Sequence, residues 1–411
     1  MTYYLLFAWR NLWRNKRRTL LATASIFFAV ILALFMRSMQ LGSYGYMVQN
    51  SVSFSTGYLQ VQHKGYWEDK SFDKSLVADD SLMKEIRHTK GVSTINPRIE
   101  TVALIAHESE TRIAPVVGVD PELEDAMTGL RKRIVAGAFL GDSSGGVVIS
   151  EGLATRLDVR VGDSLIVFGQ GYQGVTAADQ LAVEGIVHFP IPKLDNALVF
   201  LALPAAQRLF NLPHRVTSIS LMLEEPDAMS GVQSALLTRL DTSLTVMNWR
   251  EMTPELVQAI EADSAGGVLI LIILYVVIGF GVFGTVMMMA MERAREFGLL
   301  IALGMRRTRL ILVTIIEAVF VSLIGALGGI VAGFPIMLYF YFHPIRFTGD
   351  FAKAYLAWGL EPIMPVSLAP TIFVSQTLVV LLIAATAALY PVLFVRKLKP
   401  VAALQGRGGA R

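Results

Sequence analysis

The sequence of 411 residues is 54% hydrophobic and only 17% charged, with a mean hydropathy of +0.53, which excludes an ordinary water-soluble globular enzyme of this size. No cysteine is present, so disulfides, thiolate metal sites and thiol nucleophiles are excluded as well. The formal charge of +3 is unevenly divided: residues 37–265 hold 19 Lys and Arg against 28 Asp and Glu, a net −9, and the remainder holds 17 against 5, a net +12.

The cations of the remainder sit beside long apolar runs, so a pI near 9.0 reads as membrane topology with an acidic external domain and not as nucleic-acid binding. Residues 1–18 predict an amphipathic helix on the cytoplasmic membrane surface, because Tyr3, Leu5, Leu6, Trp9, Leu12 and Trp13 recur at near-helical spacing opposite Arg10 and Arg14. Residues 19–36 are the first expected transmembrane helix; the uncharged run 20–36 spans roughly 26 Å, and its length points to an uncleaved anchor and not a signal peptide.

Residues 37–265 read as an extracytoplasmic α+β domain. β-rich runs fall at 146–150, 164–168, 181–188, 197–203 and 218–223, and helices fit 151–158, 204–210 and 226–240. The stretches 49–80 and 248–263 read as connections to the membrane, as helical continuations of the first two spans. Three further spans follow at 266–291, 310–342 and 366–395, the first and last without a charge and the middle one with Glu317 alone. Five cations precede the first span, five lie in the loop 292–309 and five follow the fourth span, whereas the loop 343–365 has only Arg346 and Lys353. The positive-inside rule therefore predicts cytoplasmic termini, a cytoplasmic tail at 396–411 and a short external loop at 343–365. The fold class expected is an α-helical membrane protein with four transmembrane helices and a large α+β extracytoplasmic domain inserted between the first and second.

Several motifs point elsewhere and are outweighed by their setting. Gly279, Gly281 and Gly284 match a dinucleotide fingerprint but lie inside an expected span, where small residues serve helix packing. Gly325, Gly329 and Gly333 form a repeated G-x-x-x-G stripe for close approach of another helix, from the same chain or from a second copy. Gly141, Ser143 and Gly145 match a nucleophile elbow, yet a strand is expected after the serine where a helix is required. The six histidines are dispersed without metal-ligand spacing, so no metal site is expected. No phosphate-binding G-x-x-x-x-G-K-[ST] loop exists, so this chain is not expected to bind and split ATP by itself, and if its work is powered by ATP another chain supplies the motor. Glu317 is the single acid in a span; it either snorkels or pairs with Arg306, Arg307 or Arg309, or else has an intramembrane role.

The most informative stretch is 291–310, MERAREFGLLIALGMRRTRL. Glu292, Arg293, Arg295 and Glu296 precede an apolar set of Phe297, Leu299, Leu300 and Leu303, closed by Gly304 and a basic cluster. This stretch resembles the E-R-x-R-E-[FI]-G-x-L-x-A-L-G signature of FtsX-like permeases, a group that includes MacB-type exporters and the LolC/LolE lipoprotein-releasing subunits. Residues 148–154, 161–163, 183–186, 206–210 and 390–404 extend the resemblance, the external ones leaning towards the lipoprotein-releasing branch.

The resemblance implies a non-catalytic permease subunit in the cell inner membrane. It would pair with a second permease copy or paralogue and with two copies of an ABC ATP-binding subunit that bind ATP-Mg, so that this chain needs no cofactor. Glu292, Arg293, Arg295, Glu296, Gly298 and Gly304 would form the ATPase-coupling helix. The cargo would be lipoproteins or other lipid-like molecules extracted from the outer leaflet, with a periplasmic carrier or adaptor docking outside; the alternative is a mechanotransmission subunit relaying ATP hydrolysis to such an adaptor or to a cell-wall hydrolase. The turn 169–180 lacks the proline-bearing hook that recruits the carrier in LolC-type subunits, which leaves a LolE-like partner role.

Overall fold

The structure, a computed structural model, describes residues 2–14, 16–142, 144–357 and 361–397. Ser143, the tail beyond Lys397 and the side chain of Tyr3 lie outside the described residues. The chain divides into a helical unit, Met1–Gly45, Ile260–Arg346 and Ile363–Arg411, and a sheet unit, Tyr46–Ala259 and Phe347–Pro362.

The helical unit is built from α1 (Thr2–Arg14), α2 (Lys16–Ser51), α3 (Pro254–Glu292), α4 (Ala294–Ala302), α5 (Arg307–Phe342), α6 (Pro370–Ala387) and α7 (Leu389–Lys397). Among the described residues four segments are long and apolar enough to cross a membrane: Thr19–Thr56, Pro254–Glu292, Arg307–Phe342 and Pro370–Lys397. The first two run well past the apolar cores visible in the sequence, because helical hydrogen bonding continues through residues that hydropathy does not mark. In α1, Leu5, Leu6, Trp9 and Trp13 are exposed while Ala8 and Leu12 are buried, so an apolar surface remains open on this helix.

One row of α5, spaced by four residues, is buried throughout: Val313, Glu317, Val321, Gly325, Gly329, Gly333 and Met337. Its glycines meet α2 of the same chain. A Cβ at Gly325 would lie 2.8 Å from the Thr23 carbonyl oxygen and 2.9 Å from Ile26 Cβ, and one at Gly329 would lie 2.8 Å from Val30 Cβ. Ile26, Val30 and Leu34 of α2 then join Val282 and Val286 of α3, Val321 of α5 and Val380 of α6 in one core. The hydroxyl of Tyr275 donates to Gln376, tying α3 to α6 by a polar contact that is valuable where water is absent. Gly281 and Gly284 have open space around them in the middle of α3, a setting with no strand-to-helix turn for a pyrophosphate.

The sheet unit contains ten strands in one sheet: β1 (Leu59–His63), β2 (Val92–His107), β3 (Glu110–Val119), β4 (Ile134–Gly137), β5 (Val147–Ser150), β6 (Ser164–Gln170), β7 (Thr176–Val187), β8 (Val199–Ala202), β9 (Ser218–Leu223) and β10 (Leu244–Asn248). The pairs β2–β3, β3–β8, β8–β5, β5–β7, β7–β6 and β6–β2 close a ring of six strands. Its interior holds Ala103, Ile105, Val116, Ile149, Leu165, Val167, Leu181 and Val183. The period of two in β6 buries Leu165 and Val167 and leaves Ile166 and Phe168 outside.

Beyond the ring, β9 pairs with the first half of β2, and β1 and β10 continue the sheet. The helices Asp80–Arg87 and Met229–Arg239 cover one face of this extension through Ile86, Val232 and Leu236. On the other face the buried Arg98 forms a bidentate pair with buried Glu124, Nη2 to Oε1 at 2.7 Å and Nε to Oε2 at 2.9 Å, and Asn96 donates to the same carboxylate at 2.7 Å.

The helices Glu151–Leu157, Leu203–Leu209 and Met229–Arg239 and the strands β5 to β9 lie where the sequence places them. The hairpin of β2 and β3 and the strands β1 and β10 do not register in the sequence. β2 serves two cores in succession and carries Pro97, Arg98 and Glu100, so no clean alternation marks it. The helix Asp350–Ala357 lies in what reads as a loop.

The close approach of α5 and α2 makes Gly329 intolerant of a methyl group. Gly329→Ala is expected to destabilise the helical unit by about 1–3 kcal/mol through overpacking. Gly281→Ala is expected to leave it unchanged, with thermal unfolding of the detergent-solubilised chain as the measurement.

Candidate functional site

The residues of the expected coupling helix meet at one end of the helical unit. α3 ends at Glu292, and Arg293 leaves helical geometry with φ −93° and ψ 3° before α4 begins. The helix α4 therefore covers 294–302, shorter than the expected 292–309, and the chain turns sharply at both of its ends. At the far end Leu303 is the last residue close to helical geometry and Gly304 has φ +96°, a left-handed conformation that suits glycine. Met305 N–H donates to the Leu300 carbonyl at 3.0 Å and Gly304 N–H to the Ile301 carbonyl at 3.0 Å. These two bonds form a Schellman cap, and Leu300 and Met305 both pack against the cluster around Phe297.

The two faces of α4 differ in kind. Ala294, Phe297 and Gly298 are buried, and Phe297 packs in a cluster with Leu310 of α5 and Val395 of α7. Arg295, Leu299 and Leu303 are exposed, as is Glu292 at the end of α3. The apolar set read as one face in the sequence is thus split, with Phe297 inside and Leu299 and Leu303 outside.

Arg293 turns inward. Its Nη1 donates to Glu317 Oε2 in α5, its Nη2 lies 3.4 Å from Glu317 Oε1, and its guanidinium carbon stands 5.1 Å from the centre of the Phe297 ring. Both side chains are largely withdrawn from solvent, Arg293 at 16% exposure and Glu317 at 9%. The sequence pointed to Arg306, Arg307 or Arg309 as partners of Glu317, the cations next to it along its own helix. The structure supplies Arg293 from the preceding segment, because the turn after α3 brings that side chain to the buried row of α5. Removing one member of a buried pair takes a partner from a desolvated charge, which costs more than losing an exposed pair.

Glu296 continues the network towards α1. Its Oε2 lies 3.0 Å from Arg14 Nη2 and 3.5 Å from Arg293 Nε. The Arg14 contact is exposed and contributes about 0–1 kcal/mol, so its significance is the link it makes between α1 and α4. Arg14 was legible only as one of several flanking cations. Beside the ion pair, Ile26 of α2, Val286 of α3 and Val321 of α5 line a cavity of about 70 Å³ that also receives Thr19, Thr285 and Ser322. The helix-packing glycines Gly325, Gly329 and Gly333 belong to the same row of α5 as Glu317 but lie two or more turns away.

Ser143 of the elbow sequence lies outside the described residues; beside it, Ser144 Oγ donates to Glu184 Oε2 at 2.6 Å and Gly146 N–H to Glu184 Oε1 at 3.1 Å, just before β5. That is a turn fastened to a strand, and a strand follows it.

Comparison with known proteins places both halves of the chain. The model of the FtsX-like permease C-terminal region matches residues 268–400, and that of the MacB-like periplasmic core domain matches residues 19–239. The lipoprotein-releasing system transmembrane protein LolC of Neisseria meningitidis is 23% identical over 263 residues, covering 62% of this chain and 63% of the relative. LolE of Haemophilus influenzae is 23% identical over 264 residues, covering 63% of this chain and 64% of the relative. The matched segment therefore spans a little under two thirds of either relative. Among solved structures, the periplasmic region of MacB from Actinobacillus actinomycetemcomitans aligns with 12% identity and a TM-score of 0.36, covering 53% of this chain and 98% of that one. With the two family models matching successive parts of it, the chain belongs to the FtsX-like permeases that carry a MacB-like periplasmic core domain.

Proposed function

We propose that this chain is the permease subunit of an ABC transporter, one that uses ATP hydrolysed by a separate subunit to extract lipoproteins or lipid-like cargo from the outer leaflet of the inner membrane. The observation that carries this reading is the division of α4 into an anchored face and an exposed one. Phe297 and the Arg293–Glu317 pair hold the inner face to the helical unit, while Arg295, Leu299 at 51% exposure and Leu303 at 76% exposure face outward. A short helix exposing apolar and charged groups together suits the surface cleft of a protein partner better than open water.

The partner would be an ABC ATP-binding subunit, two copies of which would engage this chain and a second permease copy or paralogue. Closure of that ATPase pair on ATP-Mg would displace α4. The pair to Glu317 would carry the movement into α5, the Arg14–Glu296 contact into α1, and α3 would carry it towards the sheet unit. No substrate need cross the bilayer in such a cycle.

The sheet unit supplies the second support. Val102, Leu104, Ile113, Ile166, Phe168 and Val175 are all exposed, from 38% for Leu104 to 75% for Ile113. Strand register explains the cluster: Leu104 of β2 faces Ile113 of β3 on one side and Phe168 of β6 on the other. All of them except Ile166 line a shallow groove of about 450 Å³, a surface suited to acyl chains. The segment from Gly171 to Val175 that joins β6 to β7 is a tight turn, in which Gly171 N–H and the Val175 carbonyl are hydrogen-bonded at 2.6 Å. So short a projection favours carrier docking on the other permease subunit.

Three outcomes follow. Reversing the exposed charges in Glu292→Arg/Arg295→Glu is expected to lower cargo-stimulated ATPase activity of the assembled transporter at least tenfold without loss of membrane insertion; unchanged activity would remove α4 as the motor contact. Arg293→Met is expected to destabilise the chain by about 1.5–3 kcal/mol, the scale of a lost charge-assisted hydrogen bond, and to impair coupling, measured by thermal unfolding beside ATPase assays. A mild-detergent pull-down from native membranes, read by mass spectrometry, is expected to recover an ATP-binding subunit with acylated lipoproteins, and Ile113→Asp/Phe168→Asp to lose the lipoproteins alone. Recovery of a cell-wall hydrolase or adaptor without acylated passengers would favour mechanotransmission.

A further inference from the structure

The sheet unit contains a cluster to which the proposed function assigns no role. Strands β5 and β7 run parallel with Ser150 opposite Val187, so the residues that follow them, Glu151 and His188, emerge side by side. Asp195, at the end of the short helix Pro192–Asp195, closes the group. His188 Nδ1 lies 2.8 Å from Glu151 Oε2 and 3.7 Å from Asp195 Oδ1, and one donor atom from each of the three residues falls within 4.8 Å of the others. Among the described residues no other trio of His, Asp or Glu converges in this way.

Three features distinguish the group from a chance surface contact. The Asp195 carboxylate is oriented by backbone, accepting from Phe189 N–H at 2.8 Å through Oδ1 and from Gly152 N–H at 3.2 Å through Oδ2. Such outer hydrogen bonds hold a metal-binding carboxylate in place. Gly152 permits the approach: a Cβ there would lie 2.5 Å from Asn196 Oδ1 and 2.8 Å from the Asp195 carbonyl oxygen. The charges are also unbalanced, since two carboxylates converge and, among the described residues, neither has a Lys or Arg in ion-pair contact. Lys193, the nearest cation in sequence, lies against Glu255.

We infer that Glu151, His188 and Asp195 bind one divalent transition-metal ion, of which zinc is the best match. A mixed imidazole and carboxylate set favours zinc over calcium or magnesium, which prefer oxygen donors alone. Ligand bonds of about 2.0–2.2 Å in tetrahedral geometry separate donor atoms by roughly 3.3–3.5 Å, which the distances in this group bracket. Three protein ligands leave a fourth position for water, and the 55% exposure of His188 lets the ion exchange with solvent. Occupied, the site would cross-link the ends of β5 and β7 to the segment 189–196.

The test is titration of chelator-stripped, full-length chain in detergent with zinc chloride, followed by isothermal calorimetry and by metal analysis after gel filtration. One zinc per chain is expected, with affinity reduced at least tenfold in His188→Ala and in Asp195→Asn and unaltered in the control His214→Ala. A zinc-dependent rise in melting temperature is expected for the unsubstituted chain and absent from His188→Ala. Failure of the unsubstituted chain to retain zinc, or retention of full affinity by both site variants, would overturn the assignment and leave a hydrogen-bonded ion pair. Because His188 is exposed, its replacement leaves the core intact, and Glu151→Gln provides a second variant that keeps the hydrogen-bonding shape while removing a charge.

Discussion

Close contact between α5 and α2 is the constraint on which the helical unit rests. In a lipid environment apolar side chains gain little by leaving the solvent, so helices associate through packing and polar contacts. Gly325 and Gly329 remove the side chains that would hold α5 away from Thr23, Ile26 and Val30. The same row of α5, continued by two turns, brings Glu317 into the interior, where its charge requires a partner. Arg293, at the turn where α3 ends and α4 begins, is one partner that meets it.

Under the proposed coupling cycle, the buried ion pair gives a mechanical meaning to residues that topology alone counts as positive-inside charge. Arg293 belongs to the buried side of the turn and Glu292 and Arg295 to its exposed side, although the three are neighbours in sequence. A force on the exposed face of α4 has two ways into the helices, through Glu317 to α5 and through Glu296 to α1. In such an arrangement the strength of the connection depends on burial: the Glu317 contact is shielded from water, whereas the Arg14 contact is open to salt and hydration.

The sheet unit solves a different problem. Six of its strands close on one another, which removes exposed edges and forms an interior without help from a membrane or a partner. Closure also dictates what lies outside the ring. Residues next to inward-facing ones on β2, β3 and β6 point away from the core, and several of them are large and apolar, the feature that supports a role in handling acyl chains. The parallel register of β5 and β7 delivers Glu151 and His188 to one place at the end of the same ring.

Hydropathy along the chain picked out the four long apolar helices, their expected orientation and the division into an acidic block and basic flanking segments, because these are properties of composition over windows of twenty residues or more. The stretch 291–310 was also legible, since its alternation of charge, apolar residues and glycine is local; Gly304 could be read as a helix stop and has the left-handed backbone that role requires. What the sequence could not determine depends on contacts between distant residues. The partner of Glu317 lies 24 residues away across a turn, and the counterpart of the glycine stripe is a helix nearly 300 residues earlier. The long strand β2 was hidden because its two halves face different cores, so its side chains follow no single alternation. The histidines have no ligand spacing along the chain, yet His188 meets an acid 37 residues before it and another seven after it. Local physics sets which segments form helices and which lie in lipid; only the tertiary fold decides which charges become neighbours, because that depends on strand register and helix contact and not on separation along the chain.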